Sequence, residues 1–444
     1  MLQTLKSNIP LSFCLKMSQL LSNAAYGGAG ERLFLNEDLS DITILVKGSD
    51  HKQWRFPVHS LLLSSQSLVF WRMLSSDFSE KTSRQVIIED IKPKTVELLL
   101  GYIYCGRVHL ENWNCAIELL RASHKYQVDP LVQYCGRFLE SVVTVCNVCY
   151  IYNEACMYAL MSLKEKCLRL ILDAGFVVLR SKAFEMLSKD SVMDIVTNPC
   201  LNIGSELMVF EALLRWAPMQ CCRMGNQVTE ANILHELEPF LKYVCFDDMS
   251  DTEKSALPAA VLSCVEPNNR NRLPLCVPDT LMAYTYCLGF QIDQEYTELI
   301  ADSLCCVRFS FDTSLYIIGI KFVVAVSEFP HHFPLTLVKE SATASSNMFT
   351  INLASASWKE GLHLNDRKRY EALIRLRQPC HLEAKTVYKM YSVDRTQNAQ
   401  CPKTQLLSRT VLTEWGRVNI SLHSQSIWGI TGFHFICDTG SVSK

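Results

Sequence analysis

Cys146 and Cys149 form a C-x-x-C pair, with Cys156 and Cys167 downstream. Thiolates at that spacing can ligate a soft divalent metal such as zinc. A zinc site also needs a second close pair, but Cys156 and Cys167 lack that spacing and no knuckle glycine stands between the first two. These thiols therefore read as small hydrophobes on helical stripes. Cys221-Cys222 and Cys305-Cys306 are adjacent pairs, unsuited to a strain-free local disulfide. His59 could exchange a proton near neutral pH, but the sequence places no Asp or Cys beside it, so it reads as a satisfied buried or dimer-edge histidine.

Arg367-Lys368-Arg369, with Arg375 and Arg377, make a basic cluster, but Asp366 and Glu371 interleave with it, as on a solvated strand face. Trp415, Trp428 and Phe433 read as core of a β domain. Asn419-Ile420-Ser421 matches a glycosylation acceptor, a pattern with meaning only in a secreted chain. P-loop, G-x-G-x-x-G after a strand, H-E-x-x-H, G-x-S-x-G and kinase motifs are missing. The expectation is a protein that is not an enzyme and uses no cofactor and no metal.

At 444 residues the chain exceeds one ordinary core, so two or three domains are expected. Hydrophobic residues at 49% and charged residues at 20% are near globular averages, which excludes large-scale disorder. A net charge of -2 gives no electrostatic reason for nucleic acid or an anionic membrane to be a partner. The twenty cysteines lie in apolar helical stretches (Cys135, Cys156, Cys167, Cys245) rather than at turns, which favours a reducing compartment over disulfides. The apolar runs near the start, such as Leu11 to Leu15, are shorter than the ~7–15 residues of a secretory core. No stretch reaches the ~18–20 apolar residues of a membrane span. The expected location is the cytoplasm, with the nucleus as the alternative.

Gly27-Gly28-Ala29-Gly30 closes a flexible tail over 1–30, and Glu31 to Leu35 reads as a short amphipathic helix. Ile42, Ile44 and Val46 alternate as a strand, Gly48-Ser49-Asp50 turns, and Gln53 to Val58 returns. Helical patterns follow over Leu61–Leu74, Lys94–Tyr104, Cys115–Tyr126 and Leu131–Val142, with a short strand at Val86-Ile87-Ile88. From Val143 to Val265 the pattern is helical throughout. Segments such as Asn147–Leu160, Leu163–Ala174 and Glu206–Trp216 are marginal alone and must pack as pairs. Glu266 to Pro274 reads as a polar linker bounded by prolines. Beyond it, Val307–Asp312, Tyr316–Phe322, Met348–Leu353, Tyr370–Leu376, Thr386–Tyr391 and Trp428–Cys437 alternate as short strands of an antiparallel β-sandwich. No repeat of fixed period is present. The fold class is multidomain α+β.

Several of these residues carry a family resemblance. Ser40-Asp41-Ile42, Pro57-Val58-His59 with Leu63, Ser67 and Phe70, and Ile103-Tyr104-Cys105-Gly106 with Ala122, Tyr126 and Leu131 resemble a BTB (POZ) domain over 31–142. Asn147-Val148-Cys149, Ala155, Cys167, Glu206 to Trp216 and Phe240 to Phe246 resemble the all-α BACK helices that follow it, over 143–265. After a linker at 266–280, Arg308-Phe309-Ser310-Phe311-Asp312 and Ile318-Gly319-Ile320 in 281–444 resemble a divergent PHR-like β-sandwich. Two departures stand out: Ser60 occupies a position usually Lys or Arg, and Cys245 one usually Arg.

The resemblance implies a homodimeric substrate adaptor of a cullin-3 RING ubiquitin ligase that presents an unknown protein substrate through its C-terminal domain. It implies cullin contacts at Phe78-Ser79-Glu80 in the loop after the third helix, and at Tyr126, Val148 and Tyr152. It implies dimer contacts at Leu33, Phe34, Leu39, Ile42, His59 and Leu62. Such a protein acts by proximity, holding a substrate lysine near a charged conjugating enzyme. The rival readings are a BTB scaffold or transcriptional interaction protein that binds no cullin, and a secreted, disulfide-bonded glycoprotein.

Overall fold

The computed structural model describes residues 27–48, 52–75, 83–255, 257–258, 261, 272 and 275–298. It also describes 305–438 apart from 327–333, 341–344, 353–358, 365–366, 393–399, 407–409, 414–415, 424–426 and 429. The chain divides into two compact units: residues up to 143 with 154–166, and residues 144–153 with 167–444.

In the first unit, β1 (Ile42–Lys47) pairs antiparallel with β2 (Gln53–Val58) and parallel with β3 (Gln85–Ile88). The alternation along β1 sends Ile44 and Val46 into the core, where neither is exposed. α1 (Gly27–Leu33), α2 (Ser60–Gln66), α3 (Leu68–Ser75), α4 (Pro93–Cys105), α5 (Trp113–Lys125) and α6 (Asp129–Val142) complete the domain. Pro93 starts α4 and Gly106 ends it in the left-handed conformation at φ 66°. The Asn112 side chain caps α5 by accepting the Cys115 N–H at 2.9 Å. Phe70 stacks on Tyr126 with ring centroids 4.5 Å apart, tying α3 to the end of α5.

Residues 27–30, which read as the end of a flexible tail, belong to α1. Gly30 serves close approach: a Cβ there would sit 1.8 Å from the Tyr104 carbonyl oxygen, whereas one on Gly28 would meet nothing within 4 Å.

Helices continue through α7 (Val148–Met157) and α8 (Met161–Asp173). In the second unit follow α9 (Gly175–Val178), α10 (Lys189–Val196), α11 (Glu206–Arg223), α12 (Glu230–Leu241) and α13 (Asp251–Ser255). Ser188, Ser205 and Thr229 cap α10, α11 and α12 through their side-chain oxygens. Trp216 is fully buried, donates its indole N–H to the Leu187 carbonyl at 2.9 Å and meets Phe240 edge-on.

The rest of the second unit is a β-sandwich. Among the described residues its first sheet runs β15 (Ile427–Trp428), β12 (Gln400–Leu406), β4 (Tyr286–Glu298), β16 (Ile430–Cys437), β6 (Leu315–Val326), β10 (Arg367–Leu382), β9 (Lys359–Leu364). The second runs β13 (Thr410–Thr413), β14 (Gly416–Leu422), β5 (Cys305–Phe311), β11 (Tyr388–Ser392), β7 (Pro334–Glu340), β8 (Ser345–Asn352). Every pairing in both is antiparallel. One core joins the two sheets: Phe309 faces Phe433 at 5.2 Å and Phe311 faces Phe435 at 6.2 Å. The architecture is multidomain α+β.

Candidate protein-interaction site

His59 precedes α2 and is only 8% exposed. Its backbone N–H donates to the Tyr104 hydroxyl at 2.8 Å, and its ring Nδ1 lies 2.8 Å from the same oxygen. Nε2 lies 2.8 Å from the Asp38 carbonyl, an acceptor, so the proton sits on Nε2 and Nδ1 accepts from the Tyr104 O–H. Burial pushes the Tyr104 hydroxyl up to about 12, so it stays protonated and keeps donating. Both ring nitrogens are thus used in joining α2, α4 and the loop before β1. His59 is a structural joint, and its ring is not a free dimer contact.

Next to it, the Asp41 carboxylate accepts the Ser60 backbone N–H at 2.8 Å and the Ser60 hydroxyl. His59 offers no side-chain cap, so Asp41 from the end of the preceding loop caps α2.

The other residues expected at a dimer face divide. Leu39 is 86% exposed, while Leu33, Phe34 and Leu62 are half-buried and Ile42 is buried. Phe34 leans on Tyr104, with ring centroids 5.9 Å apart. In Leu61-Leu62-Leu63 the helix turns Leu63 into the core and Leu61 outward at 76% exposure. Leu61, not Leu62, is therefore the accessible side chain. Leu35 and Leu39 both hold positive φ, at 55° and 61°, a costly conformation for a side chain branched at Cγ.

Of the expected cullin contacts, Phe78, Ser79 and Glu80 lie outside the described residues. Tyr126, Val148 and Tyr152 are 2%, 0% and 0% exposed. Tyr126 is stacked against Phe70, and the Tyr152 hydroxyl donates to Asp194 at 3.0 Å. These are core residues, closed to an incoming partner. In the first unit Met157 and Met161 are 66% and 60% exposed on either side of a turn made by Ala159 at φ 53°. Tyr158 between them packs its ring on His124 at 4.6 Å. Behind this patch the Glu154 carboxylate, 4% exposed, takes a two-point contact from the Arg121 guanidinium. Sequence reading passed over the two methionines because one helical stripe looks like another until its neighbours are known.

Among the described residues no group of three or more His, Cys, Asp or Glu could hold a metal, and Cys149 is buried with its thiol pushed up to about 12. Among the same residues no helix is long and apolar enough to cross a membrane. Arg375 and Arg377 are exposed on β10 beside exposed Glu371, whereas Asp366 and Trp415 lie outside the described residues. Phe433 is core. The Asn419 side chain is occupied, donating to Asp312 at 2.6 Å and accepting from Thr410 at 2.6 Å. A cleft of about 420 Å³ in the first unit is lined by Glu31, Phe34, Glu97, Cys105, Arg107 and His109, and Arg107 pairs with Glu31 across it.

A family profile for the BTB/POZ domain matches residues 31–143, and one described as BTB And C-terminal Kelch matches 148–231. BTB/POZ domain-containing protein 6 of Mus musculus is 31% identical over 239 residues, 53% of this chain and 44% of its own length. BTB/POZ domain-containing protein 3 of Homo sapiens is 27% identical over 239 residues, covering 53% and 45%. The matched region thus spans less than half the length of these relatives. The solved BTB domain of zebrafish PATZ1 aligns with 27% of this chain and 98% of its own, at 19% identity and a TM-score of 0.21. The chain carries a BTB/POZ domain followed by a BACK domain.

Proposed function

We propose that this protein is a non-enzymatic substrate adaptor of a cullin-3 RING ubiquitin ligase, acting in the cytoplasm. The BTB domain self-associates through the face bearing Leu39 and Leu61 and binds the cullin through the Phe78-Ser79-Glu80 loop. The exposed side chains of Met157 and Met161 offer a further apolar contact surface. The PHR-like sandwich presents the protein substrate, and ubiquitin transfer is accelerated because a substrate lysine is held close to the charged conjugating enzyme. A dimer adds avidity for multivalent substrates.

The observation that carries this reading is the succession of a BTB and a BACK domain, with exposed apolar side chains on the first. Apolar anchors flanked by a carboxylate are what such interfaces are built on. The test is titration of the purified chain against the N-terminal region of cullin-3, beside a Phe78→Ala, Glu80→Ala double variant. Sub-micromolar binding lost in the variant supports the adaptor. No binding by a folded, dimeric wild type overturns it in favour of a BTB scaffold that engages no cullin.

A further inference from the structure

The described residues of the stretch that reads as a linker, Arg272 and 275–280, are tied to both the helices and the sandwich. Arg272 is the first tie. Its side chain is 9% exposed and pairs through Nε with the Glu206 carboxylate, itself 5% exposed. Its other nitrogens donate to the carbonyls of Asn198 at 2.8 Å, Val196 at 3.0 Å and Tyr243 at 3.3 Å. A guanidinium can satisfy acceptors in several directions at once, as this one does across three segments of the helical stack. Glu206 also accepts the Cys245 N–H at 3.1 Å. Position 245 is where the resemblance leads one to expect an arginine. The cation that the buried carboxylate needs comes instead from beyond the stack.

The second tie is at Cys276. The Asn202 side chain clasps its peptide from both sides, accepting the Cys276 N–H at 3.0 Å and donating to its carbonyl at 2.7 Å, while also donating to the Asp173 carbonyl at 2.8 Å. The next residue bonds the other layer: the Val277 N–H donates to the Arg377 carbonyl of β10 at 3.2 Å. Consecutive peptides are therefore held by helices and by sheet. Farther along, Thr280 donates to Asp173, Leu281 is fully buried, and the Met282 methyl lies where a Cβ on Gly319 of β6 would be 3.3 Å away. Direct contacts reinforce the joint. Phe176 meets Tyr316 edge-on at 5.0 Å, Arg180 donates to the Tyr316 hydroxyl at 3.0 Å, and Asp438, paired with His381 at 2.9 Å, faces Arg180 at 3.7 Å.

We infer that Arg272 and residues 275–284 act as a strap that locks the helical stack and the β-sandwich into one rigid body, with Arg272 as its pin. The sandwich is not a freely tethered module, and whatever its loops hold is presented at a fixed angle to the helices. This rests on contacts within the second unit alone and stands whether or not the chain binds a cullin.

Hydrogen exchange read by mass spectrometry on the full chain tests it. In the wild type, amides across 275–284 are protected to a degree comparable with the helices that hold them. Arg272→Ala raises exchange in these peptides at least tenfold while peptides from β6 keep their rates. Arg272→Lys recovers only part of the protection, because an ammonium cannot reach acceptors in so many directions. Strap peptides that exchange like an unstructured chain in the wild type, or rates unmoved by Arg272→Ala, overturn the inference. Should Arg272→Ala not fold, Asn202→Ala, which removes only the clasp on Cys276, is read with the same two outcomes.

Discussion

Ser60 donates its backbone N–H to the Asp41 carboxylate at 2.8 Å, so the first turn of α2 is capped by a residue from the loop before β1. Where the resemblance leads one to expect a cation, the chain has a small hydroxyl that completes this cap. Asp41→Ala removes both contacts and is expected to cost about 1 kcal/mol of stability, the usual value of an N-cap. Ser60→Ala keeps the backbone N–H bond and costs less. Urea unfolding of the two variants beside wild type checks the order. Equal losses would mean that the hydroxyl, not the carboxylate, matters.

The Tyr104 hydroxyl serves His59 twice, through the backbone N–H and through ring Nδ1. Tyr104→Phe leaves both without a partner in a buried position, and a loss of about 1–3 kcal/mol follows. Chemical denaturation measures it. A change within error would show that water reaches the site.

Leu39 and Leu61 are exposed large apolar side chains on the BTB domain. If they form the dimer contact, Leu39→Glu with Leu61→Glu yields a folded monomer, because two carboxylates would have to be desolvated in the interface. Sedimentation equilibrium reads the mass, and circular dichroism confirms the fold. A dimer that survives both changes places the contact elsewhere.

His434 in β16 gives an acid-side dependence. Burial, with Lys321 adding to it, lowers its pKa from the ordinary 6.5. The unfolded chain therefore takes up the proton first as pH falls. The stability linked to this neutral imidazole is complete above about 6.5 and is lost as pH drops through the lower folded value. In His434→Asn the amide can still donate to the Thr285 oxygen, which lies 3.0 Å from Nδ1 and whose own O–H donates to the Met282 carbonyl at 2.9 Å, but the side chain does not titrate. Its melting temperature should fall less than the wild type's between pH 7 and pH 5. Parallel curves would assign the dependence to other groups.

Thiol labelling distinguishes exposed from buried cysteines in the native chain. Cys200 and Cys222 are exposed, whereas Cys135 and Cys149 are buried with thiols pushed up to about 12. The first pair should react within minutes and the second only on unfolding. Unreactive Cys200 and Cys222 in a folded, unreduced sample would point to disulfides and revive the secreted reading.

Local pattern alone determined much of this protein. Alternation at Ile42, Ile44 and Val46 specified a half-buried strand. Apolar stripes specified the helices, and the Phe309–Phe311 and Ile317–Phe322 runs specified strands of a sandwich. These patterns repeat within a few residues and report which backbone geometry can bury them. One less regular stretch escaped the same reading: β4, a long strand at Tyr286–Glu298, carries no clean period in sequence.

Other features were decided only by tertiary structure. Leu61, Leu62 and Leu63 are chemically alike, and only the position of the core relative to α2 sets which one is exposed. Tyr126, Val148 and Tyr152 became core because α3 and the later helices cover them. Gly30 reads as tail until Tyr104 is seen against it, and Arg272 reads as linker until Glu206 is seen beside it, 66 residues away. Burial and pairing are set by residues distant along the chain, and local sequence carries no record of which distant residues those are.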